Sequence, residues 1–204
     1  MASSKKKASL PAQGGAQVQA GSLGIARTAR RLRLRQMLRV REFGRLLLRP
    51  MTPEDEPLMV RFHQALSEET VYQRYFEHIC LESRTRHERM AGICTNDDNS
   101  CALVAATPAG PETPAAILAV GRLSRTDDPS KADFALLVND KAQGHGIGSA
   151  LMKRLILLAR ACGFRQLTGE VLVANHEMLY VCRQFGFSLR TLADDGLVEV
   201  CLDL

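Results

Sequence analysis

The chain lacks several features that mark particular protein classes. It has no tryptophan, and no apolar run approaches the roughly 20 residues that span a bilayer, so the sequence predicts no membrane span. Its six cysteines form no CxxC pair and neither of its His-Glu dipeptides extends to HExxH, so no metal site is expected. Scattered cysteines without ligand spacing are typical of a reduced protein, and the expected location is the cytoplasm.

Acidic residues are absent from the first 41 positions, which contain ten lysines or arginines. This segment has a charge of +10, and residues 42–204 have 17 basic minus 22 acidic residues, or −5. The first 24 residues are rich in Ala, Ser, Gly and Gln, a composition that predicts disorder. We therefore predict a disordered basic tail over residues 1–42 and one folded domain over residues 43–204.

The arginine-rich segment from Arg27 to Arg41 allows more than one interpretation. Its arginines do not gather on one helical face opposite Leu32, Leu34 and Leu38, which disfavours a membrane-surface helix. A solvated arm is the simplest reading, with a nucleic-acid or acidic-partner patch and an organelle transit peptide as alternatives. Nucleic acid is thus expected as a partner only through this tail.

A glycine-rich turn lies at the centre of the domain. The short apolar run from Phe134 to Val138 predicts a buried strand, and Gly144, Gly146 and Gly148 follow at a spacing of two before a helix. Glycine lacks a Cβ, so its N–H can lie against a ligand, and a helix N-terminus favours an anion. The turn therefore predicts a phosphate site. A Walker A loop is excluded because no GK[ST] is present, and the spacing is not GxGxxG.

The remaining pattern alternates strands and helices. Thr52 followed by Pro53, and later Ser67, are helix-start signals, and Gly163 and Gly186 are stop signals. The predicted order is a strand at 45–49, two helices up to Phe76, strands at 101–107, 115–122 and 134–138, a helix at 151–162, a strand at 166–173, a helix at 175–185, and a hairpin of 187–192 and 197–204.

The segment QGHGIG, from Gln143 to Gly148, resembles the [R/Q]xxGx[G/A] pyrophosphate loop of the GNAT superfamily of acyl-CoA N-acyltransferases. The Gly-Glu pair at 169–170, Asn175 and the Gly-Phe pair at 186–187 resemble later motifs of that family. The resemblance implies an α+β fold with a mixed, mostly antiparallel sheet of about seven strands flanked by helices. That sheet splays between strands four and five, and acyl-CoA lies in the gap.

A further motif, Leu66-Ser67-x-Glu69 followed by Tyr72, Arg74 and Phe76, resembles one subgroup of the family, the bacterial protein lysine acetyltransferases. The implied function is transfer of an acetyl group from acetyl-CoA to an amine, with a protein lysine as the leading acceptor. Transfer to a small amine and a domain that only senses acyl-CoA are the alternatives. The sequence does not predict an oligomeric state.

An alkylammonium acceptor must lose a proton before it attacks a thioester, so the reaction needs a base. Asp133 stands ten residues before Gln143, where the resemblance implies a catalytic Glu, and it is the first candidate. Asp is one methylene shorter than Glu, and Glu170 on the neighbouring predicted strand is the second candidate.

The resemblance also implies the residues that hold acetyl-CoA. A backbone N–H near Leu137 or Val138, at a family bulge, is expected to meet the thioester oxygen, and Asn175 opens the helix beside the cofactor. Cys182 stands where many members carry a tyrosine acid and is expected beside the sulfur, with Tyr180 directed about 200° away around the helix. The pyrophosphate is expected on Gln143, Gly144, His145, Gly146, Gly148 and Ser149.

Overall fold

An eight-stranded sheet forms the centre of the structure, a computed structural model that describes residues 24–110, 114–192 and 196–204. The strand order is β1-β2-β3-β4-β5-β6-β8-β7, and all neighbours are antiparallel except β5 and β6. The strands are β1 (Gln36–Val40), β2 (Gly44–Pro50), β3 (Ser100–Thr107), β4 (Ala116–Arg125), β5 (Lys131–Val138), β6 (Gln166–Leu172), β7 (Ser188–Leu192) and β8 (Leu197–Asp203). The fold is the α+β arrangement predicted from the sequence, with one strand more.

Helices cover both faces of the sheet. They are α1 (Ile25–Arg31), α2 (Glu56–Gln64), α3 (Glu68–Tyr75), α4 (Leu81–Thr85), α5 (His87–Cys94), α6 (Ile147–Ala161) and α7 (His176–Gln184). The larger apolar core contains buried residues of α1, α6 and α7, and the smaller core contains those of α2, α3 and α5. Phe134 and Leu136 of β5 belong to the first core and Leu137 to the second, as the two-residue period of a strand requires.

The prediction of a disordered tail is wrong for residues 24–42. Ile25 and Ala29 of α1 are 0% and 1% exposed, and Leu34 and Val40 are also buried in the larger core. Strand β1 forms an antiparallel hairpin with β2 in which Gln36 pairs with Leu48. The arginines of this segment lie on the outside, while Ile25, Ala29, Leu34 and Val40 pack inward; Leu32 and Met37 are exposed. Residues 1–23 lie outside the described residues.

The helix-start signals are confirmed where the second face begins. Thr52 and Asp55 form a reciprocal capping box, and the Ser67 side chain accepts a hydrogen bond from the Thr70 N–H at the start of α3. Helix α3 ends at Phe76, which has a left-handed φ of 59°, and α4 and α5 then complete this face. Of the four helices α2–α5, α3 lines the site described below.

All six cysteines are free thiols. None of the helices in the described ranges combines the length and apolar character that a bilayer span requires.

Candidate active site

A cavity of about 540 Å³ opens at the C-terminal end of β5. Its wall contains every predicted cofactor residue except His145 and Cys182. It also contains residues that were not predicted to bind the cofactor, from α3, β5, the glycine loop, α6 and α7: Thr70, Gln73, Arg74, Leu136, Ala142, Ile147, His176, Glu177, Met178, Tyr180 and Val181.

The cavity exists because β5 and β6 separate. The two strands pair at only three positions, and the last pair is Asp133 with Thr168. At this point the Phe134 ring lies over Gly169, where an added Cβ would come within 2.8 Å of the ring. The same ring makes an edge contact with Phe187 at a centroid distance of 5.4 Å, so an aromatic pair occupies the position where the strands diverge. The predicted splay between the fourth and fifth strands of the domain corresponds to this gap.

Backbone direction along β5 determines which amides face the gap. The Asn139 N–H donates to the Leu118 carbonyl of β4 at 2.8 Å, and the β4–β5 register is regular back to Ala132. Because direction alternates along a strand, the Leu137 N–H also points to β4, whereas the Leu136 and Val138 N–H groups point into the gap. The predicted bulge near Leu137 is absent from this paired stretch, and of the two residues predicted as alternatives for the thioester amide, Val138 directs its N–H into the gap and Leu137 does not.

The glycine loop has the geometry of an anion site. Gly144 and Gly146 have φ values of +73° and +77°, a left-handed conformation that glycine adopts without strain. Gly146 is the N-cap residue of α6, and a Cβ built on either residue meets nothing within 4 Å. The first turn of α6 lines the cavity through Ile147, Gly148 and Ser149, and the N–H groups that a helix N-terminus leaves unpaired can bind an anion.

Gln143 lies on the cavity wall, and its side chain connects the glycine loop to α3. Its side-chain amide donates to the Val138 carbonyl and to the Thr70 hydroxyl, both at 3.2 Å. The Thr70 hydroxyl donates to the Asp140 carboxylate at 2.8 Å, and this carboxylate also accepts from the N–H and the hydroxyl of Ser67. These hydrogen bonds hold the loop that follows β5 against the N-terminus of α3, and we call this set of residues the Asp140 network.

His145 lies outside the cavity wall. Its Nε2 is 3.3 Å from Glu42 Oε2, and its ring makes an edge contact with Phe43 at a centroid distance of 5.4 Å. Both partners belong to the turn between β1 and β2, so the segment predicted to be a tail contacts the glycine loop through His145. The prediction of His145 as a cofactor residue is not supported by this position.

Asp133 occupies the end of the β5–β6 ladder. Burial raises the pKa of Asp133 to about 7; Glu170 acts in the same direction, and Arg74 and the Phe134 backbone act against it. Its side chain lies on the face of β5 that also carries Leu137, toward α2–α5. A carboxyl group with this pKa is half ionised near neutral pH and suits a general base. Glu170 is exposed on β6, where it pairs across the sheet with Glu199.

On helix α7, the residue that was expected beside the coenzyme A sulfur is buried in the core, and the residue expected to point away lies on the cavity wall. Asn175 caps the helix by accepting from the Met178 N–H at 3.0 Å. Cys182 is 0% exposed in the larger core, where burial raises its pKa to about 12. Tyr180 is 61% exposed and lies on the cavity wall. Tyr180 and Cys182 point in different directions around the helix, as predicted, but Tyr180 and not Cys182 is the one on the cavity wall. Leu179 and Cys182, three residues apart, form the apolar stripe of this helix.

Comparison with known proteins agrees with this geometry. The family profile described as the acetyltransferase (GNAT) domain matches residues 45–188. An acetyltransferase of Pseudomonas aeruginosa is 28% identical over 151 residues, which are 74% of this chain and 79% of that protein.

Solved structures give the same result. The GNAT domain of PAT from S. lividans is 27% identical, has a TM-score of 0.71, and is matched over 84% of this chain and 97% of that one. The yncA acetyltransferase of Salmonella typhimurium, solved with its cofactor acetyl-CoA, shares the fold at 16% identity, with a TM-score of 0.56 and coverage of 78% and 94%. The family profile covers more than half of the sequence, and the chain belongs to the GNAT acetyltransferase family.

Proposed function

We propose that this protein transfers the acetyl group of acetyl-CoA to an amine, and that a protein lysine is the principal acceptor. The observation that carries the proposal is the gap between β5 and β6, which begins at Asp133 and opens into a cavity that reaches the glycine loop. Acetyl-CoA is the donor that GNAT acetyltransferases use. The gap would place its thioester between a phosphate site and a base.

The chain's own backbone would hold the cofactor. N–H groups of the glycine loop and the first turn of α6 would bind the pyrophosphate, with Gly144 and Gly146 allowing close approach. The Val138 N–H faces the gap nearer to the loop and would bind the pantetheine arm. Leu136 lies three residues from Asp133, or about 10 Å along the strand, and its N–H would meet the thioester oxygen. A preorganised donor at that oxygen contributes about 3 kcal/mol to the transition state.

Asp133 would accept the proton of the acceptor amine. A lysine side chain has a pKa near 10.4, so about 99.9% of it is protonated at pH 7. The Asp133 carboxylate would take this proton, directly or through one water, as the amine nitrogen attacks the thioester carbon. The bond to sulfur then breaks and coenzyme A leaves as a thiolate. The Tyr180 hydroxyl, on the same wall, would donate a proton to that sulfur and regain one from the nitrogen, which loses its second proton as the amide forms.

The choice of a protein lysine is supported by the motif on α3. The sequence from Leu66 to Phe76 resembles the protein lysine acetyltransferases, and the structure places its Arg74 on the cavity wall. Transfer to a small amine remains the competing proposal for the acceptor. The six free thiols favour a reducing compartment, and we propose the cytoplasm as the location.

The experiment is an acceptor screen. Purified protein is mixed with acetyl-CoA and either lysine-containing proteins or free amines, and release of the coenzyme A thiol is followed. We expect release that depends on a protein acceptor, with acetyl-lysine found by mass spectrometry. Release with free amines alone would transfer the proposal to the small-amine acceptor, and tight acetyl-CoA binding without any release would refute catalysis.

A further inference from the structure

An unusual concentration of arginine lies on the α2–α5 side of the site. The guanidinium groups of Arg74 and Arg89 lie 5.0 Å and 4.9 Å from the centroid of the same Tyr75 ring. The His63 ring is stacked beside that ring at a centroid distance of 6.4 Å. Arg84, on α4, also affects His63 electrostatically. Burial and the positive charges of the three arginines together lower the pKa of His63 to about 4. We call Arg74, Arg84 and Arg89 the arginine cluster.

Part of the cluster is buried without hydrogen-bond partners, whereas Arg74 and Arg89 are half-buried. Arg84 is 3% exposed, and neither its Nε nor its Nη1 has a hydrogen-bond partner, although Nη1 lies 3.1 Å from Glu68 Oε1. The Nε of Arg89 and the Nδ1 of His63 are also buried without a partner. Buried polar groups in native proteins are nearly always hydrogen-bonded, so each of these atoms calls for an explanation.

Negative charge around the cluster does not balance it. Among the described residues, Glu68 is the only acid within ion-pair distance of Arg74, Arg84 or Arg89. Its side chain is 64% exposed, so solvent weakens that pair. Unpaired charge in a poorly solvated site is costly, so an anion that reached these arginines would be bound favourably.

The position of Arg74 indicates which molecule supplies the anion. Thr70 of the Asp140 network marks the end of α3 nearest to the glycine loop, and Arg74 lies one helical turn beyond it, about 6 Å along the axis. Arg74 is on the cavity wall, and its positive charge favours the ionised form of the Asp133 carboxyl. Asp133 lies at the end of β5 that is farther from the glycine loop. An anion bound there lies on the acceptor side of the thioester rather than at the pyrophosphate.

We propose that the acceptor carries a carboxylate beside its reactive amine, and that Arg74, supported by the arginine cluster and the Tyr75 ring, binds this carboxylate. The proposal rests on the acetyltransferase function above and specifies its substrate. Arg74 presents a planar fork of donors that matches a carboxylate in two parallel hydrogen bonds. In a protein acceptor, the carboxylate comes from an aspartate or glutamate next to the lysine. In a small acceptor, it is the carboxylate of an amino acid.

The test uses acceptors that differ only in the carboxylate. Two peptides, Ac-Gly-Asp-Lys-Gly-NH2 and Ac-Gly-Asn-Lys-Gly-NH2, form the first pair, and free lysine and cadaverine form the second. A charge-assisted bidentate contact is expected to give about a tenfold lower KM for the carboxylate member of a pair. A preference in the peptide pair assigns the carboxylate to a neighbouring residue, and a preference in the second pair alone assigns it to a free amino acid.

Two variants identify the residue. Arg74→Gln should abolish the preference by raising the KM of the carboxylate acceptor about tenfold, with little effect on the other member. Arg74→Lys keeps the charge but loses the fork, so part of the preference should remain. Arg61→Gln, an exposed arginine on α2, is the matched control and should retain the wild-type preference. Circular dichroism spectra confirm that each variant is folded.

The outcomes separate this inference from the proposed function. Equal KM values within both pairs, with normal turnover, would overturn the carboxylate proposal and leave the acetyltransferase function intact. A loss of kcat in Arg74→Gln for all acceptors alike, with the KM preference within each pair retained, would also overturn it, because Arg74 would then act only through the Asp133 carboxyl. Should no acceptor turn over, calorimetric titration of the peptide pair into the acetyl-CoA-saturated protein decides: equal affinities refute the proposal, and tighter binding of the Asp peptide supports it.

Discussion

In the proposed function, the two sides of the gap would recognise their ligands by different means. On the cofactor side, the glycine loop and the first turn of α6 present backbone N–H groups, and the left-handed Gly144 and Gly146 set their direction. On the acceptor side, Arg74 of α3 lines the cavity, and its charge acts on the pKa of the Asp133 carboxyl of β5. The first means suits a ligand shared by a whole family. The second can change with single substitutions, which is how one fold serves many acceptors.

The strongest test of this contrast is a substitution on the cofactor side. Gly146→Val places a β-branched residue at a φ of +77° on the surface proposed for the pyrophosphate, and should weaken acetyl-CoA binding at least about 100-fold by calorimetry. Gly163→Val is the matched control because Gly163, at the other end of α6, has a φ of +81° and equally open surroundings. A similar loss of affinity in both variants would mean that backbone strain, not a phosphate site, explains the effect.

A smaller effect, on kcat, is expected from the residue proposed to protonate the coenzyme A sulfur. Tyr180→Phe should lower kcat about tenfold, since a thiol of pKa near 8.5 departs readily and an acid only assists it. Cys182→Ala should leave kcat unchanged and lower the melting temperature, because Cys182 is wholly buried in the core. The reverse pattern, with kcat sensitive to Cys182 alone, would restore the assignment made from the sequence.

The Asp140 network joins the two sides, and breaking it should separate their responses. Asp140→Asn turns an amide toward the Ser67 and Thr70 donors, which releases the start of α3 from the loop. We expect the acceptor KM to rise about fivefold, while the dissociation constant of acetyl-CoA stays within twofold. Asp97→Asn is the control, since Asp97 caps a distant turn by accepting from Asn99 and Ser100. Equal losses for both ligands would show that the two sides act as one site.

The smallest effect concerns stability. Burial raises the pKa of Asp133 from 3.8 to about 7, so between these values the folded protein binds more protons than the unfolded chain and its stability falls as pH rises. Asp133→Asn removes this penalty, and the melting temperature should rise by about 3 °C at pH 8 but hardly at pH 3, where the carboxyl is mostly protonated in both states. Glu170→Gln, at an exposed residue, should change neither value. An equal rise at both pH values would show that desolvation of the charge is not the cause.

Local sequence signals determined most of the fold and most of the cofactor side. Gly144 and Gly146 could be predicted because left-handed backbone is a local property, and Ser67 because a helix cap involves neighbours in sequence. The acceptor side could not be predicted in this way. The Asp140 network joins residues about 70 positions apart, and the burial of Arg84 depends on how α2–α5 pack.

The errors have physical causes as well. Seven residues of α1 with three arginines look like a solvated arm, and only the packing of Ile25 and Ala29 in the larger core makes them a helix of the domain. Strand β1 is defined by pairing with β2, which its composition does not reveal. Cys182 is expected beside the cofactor only because it occupies the tyrosine position of the family. The apolar spacing along α7, taken alone, predicts that this residue is buried in the core.

The central claim is that Asp133 removes the acceptor's proton beside the cofactor gap, and the pH dependence of kcat/KM tests it most directly. For the wild type we predict a rise up to about pH 7 and a plateau above it, because ionised Asp133 accepts a proton from the bound ammonium group. For Asp133→Asn only the rare neutral amine can react, so kcat/KM should be about 100-fold lower at pH 7 and keep rising about tenfold per pH unit toward pH 9. Superimposable profiles for the two proteins would contradict the claim.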